Sequence, residues 1–475
     1  MLVMNKRFLF QYLFFAVTCL LATVSMSSAS FSESLEEAVV RAYKANPTLQ
    51  TARYNYESVL YAVPEAKSGY RPSLNVYGTQ EWSESESELN SNIPGLQEET
   101  DLTTKTAQVE IIQALFRGGR TVAAVNAAKA LVKAESQSLA ESEQSVLLNA
   151  VSAYYGLEEA LAIQNLREKN VDVLGEQLEA TQARFDVGEL TKTDVSQAQS
   201  RLSGAKSDLI EAQGNVKKAL ALYEQIIGEA GDSVLNKKDE EKTRFSSSLL
   251  QRIELPEDVG QAIDIASERN PLILESLFLK QAADYDVDNV FGELLPELNA
   301  YGRFTKSYDP SINVKESEDT AFGLNLTIPL YQGGATRARL QSNKKTLLSL
   351  EATLMDTKRS VRQLVIDAWH EYLSTKAQID AINDQIEAAE IALEGVREES
   401  RVGSRTVLDV LDAEEELLNA QVSNVSARSS HIISQFSLLR AVGLLNANYL
   451  DLPTQKYDFQ AMYDDIEGRW LFMEQ

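Results

Sequence analysis

Asp409 and Asp412 stand three residues apart near the end of the stretch running from Arg401 to Ala413, so a helix would carry both carboxylates on one face. A carboxylate pair of this kind attracts cations and, when crowded by further copies of itself, raises some of its own pKa values. The plainer reading is two solvated acids on an acidic chain. Arg405, four residues before Asp409, is spaced either to pair with it along the helix or to reach another helix or chain. Just upstream, Gly403 with Ser404 is the only local breaker, and a glycine there takes the positive φ that ends one helix before the next begins. The stretch reads as the tip of a helical hairpin.

The same tip occurs earlier, between Phe185 and Val195. Gly188 and Gly403, Thr191 and Thr406, Asp194 and Asp409 are all separated by one identical offset. One hairpin is used twice, which gives Gly188, Thr191 and Asp194 the same standing as their counterparts. No other chemistry competes with the tips. His370 and His431, the only histidines, lie far apart on helical stretches and read as packing or surface residues. There is no cysteine cluster, phosphate-binding glycine loop or Gly-x-Ser-x-Gly turn, so neither an enzyme, a metal site nor a cofactor is expected. Energy for any transport must come from a partner.

The elements that carry the tips are duplicated with them. Asn46-Pro47 recurs as Asn270-Pro271, and the run from Arg71 to Gly78 as the run from Leu295 to Gly302, both at an offset slightly larger than that of the tips. The run from Leu115 to Gly119 recurs as Leu330 to Gly334 at the same offset as the tips, so the first copy carries a longer loop between Gly78 and Leu115. A self-match interrupted at one loop is the mark of tandem duplication. Each copy reads as helix, strand pair, very long helix, tip, helix. The first helix is expected over about 33–66, broken at Asn46-Pro47 because proline disfavours a helical residue before it.

Only 10 prolines occur, none between Pro94 and Pro256 or between Pro329 and Pro453, and these tracts are rich in helix formers. Long helices are expected from about Arg120 to Asp186 and from about Thr336 to Arg401, each roughly 100 Å at 1.5 Å per residue. Helices of that length need coiled-coil partners. Ile379, Ile382, Ile386, Ala389, Leu393 and Val396 supply one seam by alternating steps of three and four. The series Val195, Ala198, Leu202, Ala205, Leu209 and onward to Ile226 supplies another. By themselves such seams suit a periplasmic coiled-coil structural protein equally well.

The strand pairs argue otherwise. Phe322, Leu324, Leu326, Ile328 and Leu330 alternate with Gly323, Asn325, Thr327 and Pro329; Leu74 and Val76, and Val109 and Ile111, alternate with polar neighbours. Segments of about ten residues with one apolar face, and with Trp82, Phe116, Phe304 and Tyr331 towards their ends, suit a membrane β-barrel; a half-buried soluble sheet shows the same period. The connections Ser83 to Leu102 and Ser307 to Asp319, acidic and polar, read as exposed loops. Four strands are too few to close a barrel, which needs about eight, and open edges cannot face lipid. Several chains must share one barrel, with the long helices continuing it as a tube.

The address fits. Lys6 and Arg7, an apolar run from Phe8 to Leu21 and the small residues Ser27 to Ala29 form a secretory signal expected to be cut after Ala29. The single cysteine, Cys19, lies inside that apolar run, preceded by Thr18 where a lipoprotein signal needs a small residue, so no disulfide or lipid anchor is implied. A net charge of −25 argues against nucleic acid and fits a solvated periplasmic body or a cation-favouring lumen. The organisation read from the sequence is a signal peptide over 1–29 and a first repeat over 30–230, with strands at about 70–82 and 104–116 and a tip at 185–195. An inter-repeat segment over 231–256 precedes a second repeat over 257–445, with strands at about 294–306 and 320–331 and a tip at 400–413. A tail over 446–475 follows; it and the inter-repeat segment lack long seams and are expected outside the tube near its waist.

The duplicated Asn-Pro, the strand pair ending in Gly-Gly and the second tip together resemble the TolC-like outer membrane channels over the whole stretch from about Phe31 to Trp470. The ending from Tyr457 to Trp470 resembles that of members serving type I protein secretion. The resemblance implies a mainly helical homotrimer, whose three chains supply twelve strands to one barrel in outer membrane lipid and a ring of helices to a periplasmic α-barrel. It implies tips that close the periplasmic mouth until a periplasmic adaptor and an inner-membrane ABC transporter dock; a proton-driven pump is the partner if the cargo is a drug or metal. Asp409 and Asp412 match the paired aspartates of the constriction, while Arg405 and Asp194 match members of its restraining network. Gly188, Gly403, Thr191 and Thr406 fall at the tip turns, where the adaptor contacts. The tyrosine usual three residues before the tip glycine is Ser400 here, which removes one closing contact.

Overall fold

Two helices of 67 residues each set the length of the molecule. The computed structural model describes residues 34–88, 97–229 and 248–467. The chain starts with α1 (Leu35–Ala45), α2 (Pro47–Leu60) and α3 (Ala62–Lys67), enters β1 (Ser73–Glu88) and β2 (Gln97–Arg117), and continues as α4 (Arg120–Asp186) and α5 (Lys192–Ile226). After the short α6 (Ser248–Gln251) the order repeats: α7 (Val259–Arg269), α8 (Pro271–Gly292), β3 (Glu297–Ser311), β4 (Val314–Thr327), α9 (Ala335–Arg401) and α10 (Val407–Val442). A last helix, α11 (Phe459–Glu467), closes the described chain. The signal peptide and most of the inter-repeat segment lie outside the described residues.

The helices pair as the seams require, α4 with α5 and α9 with α10. On α9 the stripe runs from Tyr372 through Thr375, Ile379, Ile382, Ile386, Ala389, Leu393 and Val396 to Ser400, in strict steps of three and four, and the residues between are exposed. So narrow a stripe suits helices that meet one partner along a line rather than a globular core. On α5, Ala198, Leu202, Ala205, Ala212 and Tyr223 are buried on the corresponding seam. The broad core lies where α1, α2, the middle of α4 and the end of α10 converge around Tyr56, Tyr154, Tyr155, Tyr223 and Phe436.

The duplicated Asn-Pro has a double task. Asn46 accepts from the Thr48 amide at 2.9 Å, capping α2, and its amide donates to the Ile226 carbonyl at the end of α5, also at 2.9 Å. Asn270 caps α8 through the Leu272 amide at 3.0 Å and donates to the Ala441 carbonyl near the end of α10 at 2.9 Å. One side chain starts a helix and satisfies a carbonyl where the returning helix ends. The stretch predicted as one helix broken at Asn46 breaks again at Tyr61, so it is three helices.

The sheet is antiparallel in the order β1-β2-β3-β4. The register places Leu74 opposite Ile111, Val76 opposite Val109, Val109 opposite Phe304, and Gly302 opposite Phe322. With Trp82, Leu324 and Leu326 these residues form one exposed apolar face, on which Phe322 and Ile111 cover Gly302; Asn75, Glu81, Gln108, Glu110, Arg303 and Asn325 lie on the other. The strands reach further from the helices than predicted, but β1 and β3 begin at Ser73 and Glu297 rather than near 70 and 294, and β4 stops at Thr327, leaving Ile328 and Leu330 of the predicted alternation outside the strand. Much of what reads as loop, Ser83–Glu88 and Gln97–Leu102 in one pair, Ser307–Ser311 and Val314–Asp319 in the other, is paired strand. A 16-residue β1 rises about 50 Å, twice the apolar band of a membrane barrel, so its far end is wet on both sides and loses the apolar alternation that marks a strand in sequence. Among the described residues no helix is long and apolar enough to cross a membrane.

Candidate functional site

Both tips are built alike. In the first, α4 ends at Asp186, Gly188 takes φ +80°, its amide donates to the Phe185 carbonyl, and the Glu189 amide donates to the Arg184 carbonyl at 2.9 Å. In the second, Gly403 takes φ +81°, its amide donates to the Ser400 carbonyl, and the Ser404 amide donates to the Glu399 carbonyl at 2.9 Å. This nested pair is the Schellman ending, which demands a residue without a Cβ at its centre.

Two residues later the chain turns into the returning helix through a capping box. The Thr191 amide and hydroxyl donate to Asp194 Oδ2 at 2.8 and 2.7 Å, and the Asp194 amide donates back to Thr191 Oγ1 at 3.3 Å. The Thr406 amide and hydroxyl donate to Asp409 Oδ2 at 2.8 Å each, and the Asp409 amide donates to Thr406 Oγ1 at 3.2 Å. A Thr-x-x-Asp run ahead of an apolar series is the sequence signature of such a box, and it explains the shared spacing of these four residues. The hydrogen bonds from Thr191 hold the Asp194 carboxyl below its ordinary range; those from Thr406, with Arg405 as a weaker influence, do the same for Asp409.

The neighbours of the other two residues could not be read from spacing. Arg405 donates from Nε to Glu399 at 2.8 Å, across the turn, and that bond more than the nearby Asp409 raises its pKa. Asp412 does not share a partner with Asp409: its carboxylate accepts from Nη2 of Arg201, on α5 of the first hairpin, at 2.5 Å. Arg201 also grips Glu415. Arg201, Glu399 and Glu415 carried no signal in the sequence, because each meets its partner only through the turn or across the two repeats. The hydrophobic C-caps, Val187 and Val402, stand 73% and 80% exposed at the extremities. His431 is a packing residue, stacked on Tyr372 and bonded to Thr375 and Gln435. Among the described residues no cluster suited to a metal ion occurs.

These features coincide with a known family. The family model for the outer membrane efflux protein matches residues 38–229 and 262–444, and the chain belongs to that family. It is 33% identical over 457 residues to the outer membrane efflux protein BepC of Brucella suis, covering 96% of this chain and 95% of that one. It is 23% identical to the outer membrane protein TolC of Escherichia coli, covering 90% and 85% of the two chains. Among solved structures, the Campylobacter jejuni CmeC outer membrane channel superposes with a TM-score of 0.75 over 92% of this chain and 89% of its own, at 18% identity. CusC gives 0.75 over 87% and 92%, also at 18% identity. The protein is an outer membrane efflux channel of the TolC family, set in the outer membrane with a periplasmic extension, and its work is transport rather than catalysis.

Proposed function

We propose that three copies of the chain form one passive exit duct. The observation that carries this is the four-stranded sheet, apolar on one face and, among the described residues, unpaired along the outer edges of β1 and β4. Edges of that kind cannot rest in lipid, and pairing β4 of one copy with β1 of the next closes twelve strands from three chains. The long helices continue the wall, and the tips form the periplasmic mouth. There Asp409 and Asp412 line the constriction, Arg405 and Asp194 restrain it, and the turns at Gly188, Thr191, Gly403 and Thr406 meet a periplasmic adaptor joined to an inner-membrane transporter.

The C-terminal ending between Tyr457 and Trp470, which resembles that of members serving type I secretion, supports protein export through a system driven by an ABC transporter as the first reading of the cargo. Partial similarity to the alkaline protease secretion protein AprF of Pseudomonas aeruginosa, 24% over 66% of this chain, agrees with it. Small-molecule efflux is the second reading, favoured by the likeness to BepC over nearly the whole chain. Detergent-extracted protein is expected to run as a heat-modifiable trimer; a stable monomer in detergent-free buffer would defeat the duct. Deleting the gene then separates the cargoes, since loss of a secreted protein with unchanged drug tolerance supports type I secretion and the converse supports efflux.

A further inference from the structure

Near the tips the two hairpins meet through a small apolar cluster, where Leu174, Leu202 and Ala205 of the first touch Val407 and Leu411 of the second. Apolar contact is non-directional and by itself fixes no register between the hairpins. One residue adds direction. Arg201 sends Nη2 to Asp412 and Nη1 to Glu415, which are three residues apart on α10 and share a face. The planar guanidinium fork holds two carboxylates in one fixed geometry, whereas an ammonium group is a point charge with rotatable donors. Among the described residues no other ion pair joins α5 to α9 or α10: Arg167–Asp208 and Arg397–Glu414 each lie within one hairpin. The other polar ties between α10 and the first hairpin, Ser426–Glu159 and Arg440–Glu141, sit further up the bundle. Ser400, buried on the α9 seam, makes no side-chain hydrogen bond to the first hairpin among the described residues, so the seam itself supplies no substitute.

We propose that Arg201 is a positioning residue that latches the second tip to the first and aims Asp412. Opening the mouth by moving one hairpin past the other must break the fork at both acids, and the partly exposed pair is open to competition from a docking partner. The inference rests on the reading of the tips as the gate.

The test is planar-bilayer conductance of the full-length protein, together with its exclusion limit for neutral polyethylene glycols, which reports width independently of charge. Arg201→Gln is expected to raise conductance and admit larger polymers, the open fraction shifting by about twofold to fivefold per chain, as for loss of an exposed ion pair. The neutral triple variant Arg201→Gln, Asp412→Asn, Glu415→Gln should show the same widening, and the exchange Arg201→Glu with Asp412→Arg should return towards the parent. A triple variant identical to the parent would mean that charge alone was being read, and the latch falls. If Arg201→Gln fails to assemble as a heat-modifiable trimer, Arg201→Lys takes its place, since it keeps the charge and loses the fork; parental behaviour overturns the proposal. Unchanged width with altered ion selectivity in Asp409→Ala/Asp412→Ala removes the latch but keeps the gate. Unchanged width and unchanged selectivity remove both.

Discussion

Asn270 and Ala441 are joined by a buried hydrogen bond of 2.9 Å between the side-chain amide of one and the carbonyl of the other, and the first repeat makes the same bond between Asn46 and Ile226. The Asn-Pro corner is therefore a junction between two helices as well as a break in one. Asn270 is 1% exposed, so neither half of its work can pass to water. Asn270→Ala removes a helix cap and leaves a buried carbonyl unmatched, an expected loss of about 1–3 kcal/mol. Asn270→Asp keeps the cap acceptor and sets a carboxylate against the Ala441 carbonyl, so it should not rescue. Thermal dissociation of the assembled protein measures both.

The two capping boxes make the tips sensitive to acid. Asp194 and Asp409 titrate below the ordinary carboxylate value in the folded chain. A lowered folded pKa contributes stability that is present above the unfolded value, about 3.9, and is lost as pH falls through the folded one. Hydrogen exchange at the amides of Thr191, Asp194, Thr406 and Asp409 is expected to stay slow near neutrality and to lose protection below about pH 4 beyond the intrinsic pH trend. Thr406→Val should weaken that dependence at the second tip, because the hydroxyl bonds go while the amide of residue 406 still donates to Asp409, and leave the first unchanged.

On the reading of the tips as the pore mouth, their acidic residues set ion preference. Asp409→Ala with Asp412→Ala is expected to lower cation selectivity in planar bilayers, and unchanged reversal potentials would remove both from the pore. Arg405→Ala frees Glu399 and removes a positive neighbour of Asp409. Conductance should rise, and an unaltered closed state would count against a restraining role.

The two faces of the sheet should respond oppositely to charge. Phe322 and Leu324 are 82% and 67% exposed on the apolar face, whereas Asn325 lies on the other. Phe322→Arg is expected to destabilise insertion by about 2–4 kcal/mol if near the bilayer midplane, and Asn325→Arg by much less. The yield of heat-modifiable protein refolded into liposomes distinguishes them.

Much of this architecture was legible because its signals are periodic and repeated. The seam through Ile379, Ile386 and Leu393 declares a helix partner, and the alternation at Phe322, Leu324 and Leu326 declares a strand with one apolar face. What was illegible lies where periodicity stops. The upper strands, with Glu84 paired to Asp101, are solvated on both faces and look like loop. At the tips, Asp409 reads for what a carboxylate does to ions and Thr406 for its place at the turn, while their spacing also encodes a helix start. Arg201 could not be found at all, since only the fold brings α5 beside α10.

The unpaired margins of β1 and β4 also constrain biogenesis. On the trimeric reading, a newly exported chain carries a greasy panel with no finished rim, and such a panel cannot settle into a bilayer alone. Insertion and oligomerisation would then be a single event, preceded by a stage in which a periplasmic escort shields the panel. Factors that delay that escort should leave the chain aggregated before the membrane rather than half-built within it.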